Sequence, residues 1–155
     1  MLNKLLIFVL LNITLYGSEL INIDNYSKKL DQKHTLVFFH MTYCPYCKKM
    51  IKKSFNNQNI QKKISEKFVL IDINIDKSGT IKYKSFQGTK LDFARSLNIH
   101  FYPTVLFINN KNEIVEEIKG YRSKAKFTNI LNYISTFAYK TIDYETYLDS
   151  LEMNE

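Results

Sequence analysis

Tryptophan is absent from this 155-residue chain, and glycine, proline and cysteine are scarce, at four, two and two residues. No repeat, low-complexity tract or domain linker is visible, and this length fits one ordinary domain with a real core. Arginine is nearly missing too, with only Arg95 and Arg122. The net charge is +7, yet the lysines are scattered along helical faces and no nucleic-acid motif is present. They read as solvated surface, so no nucleic-acid partner is expected. No apolar run reaches the roughly 20 residues needed to cross a bilayer. No cysteine lies near the end of the first apolar stretch, so a lipid-modified N-terminus is not expected. What is present, 45% hydrophobic and 14% aromatic residues, suits a globular protein rather than a disordered one.

Charge and hydropathy divide the chain into three parts. Lys4 precedes the apolar stretch Leu5-Leu6-Ile7-Phe8-Val9-Leu10-Leu11, so residues 1–17 read as a secretory signal peptide with Gly17 as its last residue. Leu15 departs from the small residue expected before the cleavage site, and an uncleaved anchor is the alternative. Residues 18–140 form the expected main domain. Residues 141–155 hold five acids and no Lys or Arg, which leaves the rest of the chain near +12. They read as an acidic C-terminal helical extension.

Periodicity supplies the elements in between. Asn25 to Gln32 reads as a short polar helix. His34 to Met41 is nearly all apolar and reads as a strand buried on both faces. Cys47 to about Lys67 reads as a helix with a possible break at Asn56–Asn59, its apolar face made by Met50, Ile51, Phe55, Ile60 and Ile64. Phe68 to Ile75 reads as a second buried strand, ended by Asp76. Residues 77–89, with Gly79 and Gly88, read as a loop or insertion. Lys90 to Leu97 fits a helix with Leu91, Ala94 and Leu97 on one side. Thr104 to Ile108 is a third strand, Asn109–Asn112 a hairpin turn, and Glu113 to Lys119 an alternating edge strand ended by Gly120. Ser123 is a candidate cap for a helix to about Ala138, and a last helix covers Tyr144 to Leu151. The order β-α-β-α-β-β-α predicts an α/β fold: a parallel pair joined by right-handed crossovers, then an antiparallel hairpin.

Both cysteines fall in Cys44-Pro45-Tyr46-Cys47, between the first strong strand and a lysine-rich helix. A vicinal pair at such a junction is how thiol–disulfide oxidoreductases build their site. Unpaired N–H groups at a helix start favour the Cys44 thiolate, the species that attacks a disulfide. Cys47, one turn on and more buried, is placed to resolve the mixed disulfide. Pro45 suits the first helical turn. His40, four residues before Cys44, makes a Cys-Cys-His metal site conceivable, but structural zinc needs four ligands; no metal is expected.

With Cys44-Pro45-Tyr46-Cys47 after the first core strand and Tyr102-Pro103-Thr104 opening the third, the chain resembles the thioredoxin superfamily over roughly residues 24–138. Its motifs are most similar to those of secreted bacterial thioredoxin-like proteins. The resemblance implies a thioredoxin fold: a central mixed four- to five-stranded sheet flanked by helices. It implies that Pro103 is cis and faces the cysteines, with the Tyr102 backbone exposed for an extended substrate and Tyr43, Tyr46 and Tyr102 rimming the sulfurs. Cys44 and Cys47 are then the catalytic residues, and Pro45, Tyr46, Tyr43, Tyr102, Pro103 and Thr104 bind substrate or shape the site. No cofactor beyond the Cys44–Cys47 couple is implied.

Two departures stand out. Thioredoxins proper carry a buried acid six residues before the first cysteine, where this chain has Phe38, and Trp-Cys-Gly-Pro-Cys where it has Tyr43-Cys44-Pro45-Tyr46-Cys47. The expected activity is that of a periplasmic, monomeric reductase of protein disulfides, fed by a membrane-bound or soluble thiol donor. The alternatives are a disulfide oxidase or isomerase, and a non-enzymatic metal-binding chaperone using the same pair.

Overall fold

Strand β2 (His34–His40) is the spine of the molecule, and every one of its residues is buried. The computed structural model describes residues 19–29 and 33–153; the signal-peptide reading of residues 1–17 lies outside them. β2 pairs in parallel with β3 (Phe68–Asn74) and antiparallel with β6 (Thr104–Ile108), which pairs antiparallel with β7 (Ile114–Lys119). The order is β3-β2-β6-β7. Side chains alternate across β2. Leu36 and Phe38 join a core with Met50, Phe55, Ile60, Phe127 and Ile134, while Val37 and Phe39 join a second core with Ile81, Phe93 and Ile99. Layers on both sides explain why β2 carries no solvent-facing polar alternation.

The segment after β2 is helical with the expected interruption. It comprises α2 (Pro45–Met50), one π-helical turn (Ile51–Phe55) and α3 (Gln58–Lys67). Asn57 caps α3, its side-chain oxygen accepting from the Asn59 and Ile60 N–H groups. The buried Ser54 of the π turn donates to the Arg122 carbonyl at 2.9 Å. Helix α2 begins at Pro45, two residues before the expected Cys47, which makes Cys44 its N-cap.

Three expectations are corrected. β3 is not buried on both faces: it is the edge of its sheet, and Leu70 is 44% exposed. Apolar composition does not show whether a strand has neighbours on one side or two. Residues 77–89 are not a loop. They form β4 (Thr80–Tyr83) and β5 (Phe86–Thr89), an antiparallel hairpin through Lys84 at φ 54. A short β1 (Leu20–Asn22) adds to β4 in parallel, giving a second sheet of order β1-β4-β5. Four-residue strands are too short for periodicity to stand out between Gly79 and Gly88. Finally, α4 (Lys90–Ser96) turns Phe93 and Ala94 fully inward, whereas Leu91 and Leu97 are only partly buried.

The polar N-terminal segment is helical from Ile23 to Lys29 (α1), and the expected continuation to Gln32 falls outside the described residues. Helix α5 (Lys124–Ser135) has Ser123 as its cap but stops three residues short of Ala138. Phe137 takes a left-handed conformation, and a short 3-10 turn at Ala138–Lys140 leads to α6 (Tyr144–Glu152). The Asp143 cap accepts from the Thr146 N–H and hydroxyl, and these bonds hold its carboxyl below the usual range. Helix α6 packs back on α5: Tyr144 and Tyr147 each lie 5.2 Å from the Tyr133 ring.

At the end of β2 remote from the cysteines, His34 sits among Phe68, Phe137 and Tyr139, with Nε2 2.9 Å from the Tyr139 hydroxyl. Burial, reinforced by the Lys140 charge, lowers its pKa from 6.5 to about 4. The neutral ring is the folded form. The unfolded chain takes up the proton below pH 6.5 and the folded one only near 4, so this contribution is complete above 6.5 and lost as pH falls toward 4. By pH 4.5 the loss should reach about 2–3 kcal/mol. Urea titrations at pH 7 and 4.5 should show that slope shrinking in His34→Phe; an unchanged slope would place the titrating group elsewhere.

Candidate active site

The site is built where β2 ends and α2 begins. Residues 41–44 leave the sheet through a turn fixed from β3: the Thr42 N–H donates to Asp76 Oδ2 at 2.7 Å, and Asn74 Nδ2 donates to Thr42 Oγ1 at 3.1 Å. Cys44 is extended (φ −88, ψ 113) and its sulfur accepts from the Cys47 N–H at 3.1 Å. Pro45 occupies the first turn, where a missing N–H costs nothing. The two cysteines form a disulfide with Cα atoms 5.2 Å apart. Their exposures differ in the way unequal roles require: Cys47 is 1% exposed, while Cys44 is partly accessible.

A second loop closes on the sulfurs. Between α4 and β6, the Tyr102 carbonyl lies 3.6 Å from Cys44 Sγ, and the Tyr102–Pro103 bond is cis. This loop is tied down on all sides. The Tyr102 hydroxyl donates to the Ile99 carbonyl at 3.3 Å, the Thr104 hydroxyl to the Phe101 carbonyl at 2.7 Å, and the Gly120 N–H to the Pro103 carbonyl at 2.7 Å. Gly120 takes φ +83, which a residue with a Cβ rarely adopts. Burial pushes the Tyr102 phenol up, keeping it a neutral donor.

Cys44, Cys47, Pro45, Tyr102 and Pro103 therefore meet at one point from segments far apart in sequence. Tyr43 and Tyr46 stand outside it, 87% and 62% exposed. Thr104 is buried, with its hydroxyl used internally, so it shapes the loop without facing solvent. Three contributors went unread in the sequence. Asp76 and Asn74 anchor the Thr42 turn; a polar Asn-x-Asp ending an apolar strand was their only signal. Phe101, 67% exposed beside Tyr102, had none.

A family model described as a thioredoxin-like domain matches residues 25–135. The chain belongs to the thioredoxin-like family. Among solved structures, this thioredoxin-like chain is similar to a thioredoxin-fold protein from Helicobacter pylori, at 22% identity over 79% of this chain and 81% of that one, TM-score 0.68. A thioredoxin from Thermus thermophilus aligns at 21% identity over 76% and 86% of the two chains, TM-score 0.57. The oxidised DsbD C-terminal domain of Neisseria meningitidis aligns at 16% identity over 74% and 88%, TM-score 0.53. At these identities the likeness is one of fold. A comparison with curated protein sequences returns no match.

With a Cys-x-x-Cys pair joined at the helix start of this family's fold, the protein is a thiol–disulfide oxidoreductase. On β2, Phe38 stacks on His40 at 5.0 Å, and His40 Nε2 lies 2.7 Å from Asp72 Oδ1. His40 thus faces Asp72 on β3. Among the described residues, no group of three or more His, Cys, Asp or Glu side chains gathers as a metal site. No helix among them is long and apolar enough to cross a membrane.

Proposed function

We propose that this protein is a monomeric, periplasmic reductase of disulfides in exported proteins, recharged by a membrane-bound or soluble dithiol donor. The observation that carries it is the asymmetry of the pair: Cys44 is reachable and hydrogen-bonded by the Cys47 N–H, while Cys47 is buried behind it. Export is supported by the signal-like composition of residues 1–17.

In the reduced state Cys44 is the attacking thiolate, stabilised by the same N–H. It attacks one sulfur of the substrate disulfide; a Cys44–substrate S–S bond forms, and the other substrate sulfur leaves as thiolate and takes up a proton. Cys47 then loses its proton and attacks Cys44 Sγ, which closes the internal disulfide and releases the second substrate thiol. Two electrons pass to the substrate, and the dithiol donor returns two to the pair. No further cofactor enters. An extended substrate segment is held by the Tyr102 backbone beside the sulfur it exchanges.

Direction is decided by the reduction potential, read by equilibration with glutathione redox buffers. A reductase should settle at or below about −230 mV and accelerate insulin reduction in the presence of a dithiol. A value near about −120 mV, the range of strong oxidants, would reverse the proposed direction.

A further inference from the structure

Residues 33–65 contain seven lysines and no Asp or Glu. Four of them, Lys48, Lys49, Lys52 and Lys53, stand at helical spacing along the outer side of α2 and the π turn, all exposed. Residues spaced this way share one face, so the stripe starts at the disulfide and runs away from it. None of the four has a carboxylate partner among the described residues. Two are held in place by aromatic rings: Lys48 lies 5.7 Å from the Tyr43 ring centre and Lys49 4.6 Å from that of Tyr121. The flanking acids Asp72 and Asp76 face His40 and the Thr42 N–H. The positive field beside Cys44 is therefore not cancelled locally.

Next to this stripe stand three exposed aromatic rings. Tyr43 and Tyr46 flank Cys44 in the chain, and Phe101 precedes Tyr102, whose carbonyl lies 3.6 Å from Cys44 Sγ; the three are 87%, 62% and 67% exposed. Large aromatics left in water around a reactive sulfur form a docking surface, and uncancelled charge beside them selects the sign of what docks.

We propose that the Lys48, Lys49, Lys52 and Lys53 stripe and the Tyr43, Tyr46 and Phe101 rim together dock one kind of partner. That partner is a protein segment whose exchanging cysteine is flanked by Asp or Glu on one side and by an apolar residue on the other. This rests on the oxidoreductase reading of the same site and adds the chemistry of its partner. The lysines act on encounter: attraction of an acidic segment raises the association rate and fades as salt screens it.

The test uses two short peptides with the same internal disulfide, one flanked by Asp-Glu and one by Lys-Lys. Each is mixed with the reduced protein at about 20 mM and about 500 mM salt. The acidic peptide should exchange about tenfold faster at low salt, and the two rates should converge to within about twofold at high salt. The Lys48→Glu/Lys49→Glu/Lys52→Glu variant should invert the order. Equal rates at low salt overturn the proposal, as does an unchanged order in that variant.

A second arm removes the exchange chemistry. Cys44→Ser/Cys47→Ser protein is titrated with peptides carrying serine in place of cysteine. Acid-selective binding there, with no exchange by the intact protein, sustains the docking surface and sinks the redox reading. Exchange with no charge preference does the opposite. Salt-sensitive binding to phosphatidylglycerol vesicles without discrimination between the peptides would assign the stripe to a lipid surface and overturn the proposal.

Discussion

Cys44→Ser is expected to lower disulfide-reducing turnover by on the order of 10³ or more, to the background rate of free thiols. Cys47→Ser should lose multiple turnover just as fully but accumulate a covalent Cys44–substrate adduct. The two outcomes differ because the sulfurs differ. Cys44 is accessible, lies 3.6 Å from the Tyr102 carbonyl and receives an N–H bond, so it is the sulfur an incoming disulfide can reach. Cys47 is sealed inside α2 and can reach only Cys44. Non-reducing gels and intact mass after incubation with an oxidised substrate would show the adduct in one variant and not the other. Equal residual activity in both, or an adduct on Cys47 in the Cys44 variant, would defeat these assignments.

Phe93→Ala should cost about 3–5 kcal/mol of stability. Phe93 is fully buried, with ring centres of Phe39, Tyr83 and Phe86 at 5.7, 5.8 and 5.4 Å. It is the plug that joins β2 of the main sheet to the β4–β5 hairpin. Typical domain stability is about 5–15 kcal/mol, so this one ring is a large share of the total. Leu91→Ala, two positions earlier on the same helix but only partly buried, should cost less than half as much. Urea midpoints at constant m-value measure both; comparable losses would show that α4 packs through its Leu91–Leu97 side after all.

That comparison marks where sequence reasoning reached its limit. β2, β6, β7 and the long helical segments were legible because each is long or strongly patterned. The break at Asn56–Asn57 and the Ser123 cap were legible because polar side chains that bond their own backbone announce themselves. β4 and β5 were not, since an alternation of Ile81 and Tyr83 with lysines over four residues resembles a polar loop. β3 looked buried on both faces because apolar content cannot reveal whether a second neighbouring strand exists. For α4, three small or aliphatic residues suggested a stripe, whereas the deep space beneath β2 takes the larger Phe93 ring.

In the site, the cysteine pair could be read directly, because two residues between cysteines at a helix start place both sulfurs on one turn. Tyr102 and Pro103 came only through the family pattern. Phe101, Asn74 and Asp76 did not come at all: their part depends on which loops the sheet brings together.

By itself, then, the sequence determined the chemistry available, one dithiol couple with Cys44 ahead of Cys47, and the class of fold able to carry it. Those follow from local spacing and from the identity of the only two sulfurs in the chain. The tertiary structure decided which sulfur meets solvent, which carbonyl stands beside it, and that an uncancelled lysine stripe and three aromatic rings share its surface. The carbonyl beside Cys44 and the Phe101 ring come from a segment tens of residues away, and the exposure of the local residues depends on what packs over them. Such relations are set by strand pairing and layer packing, which no local window of the chain contains.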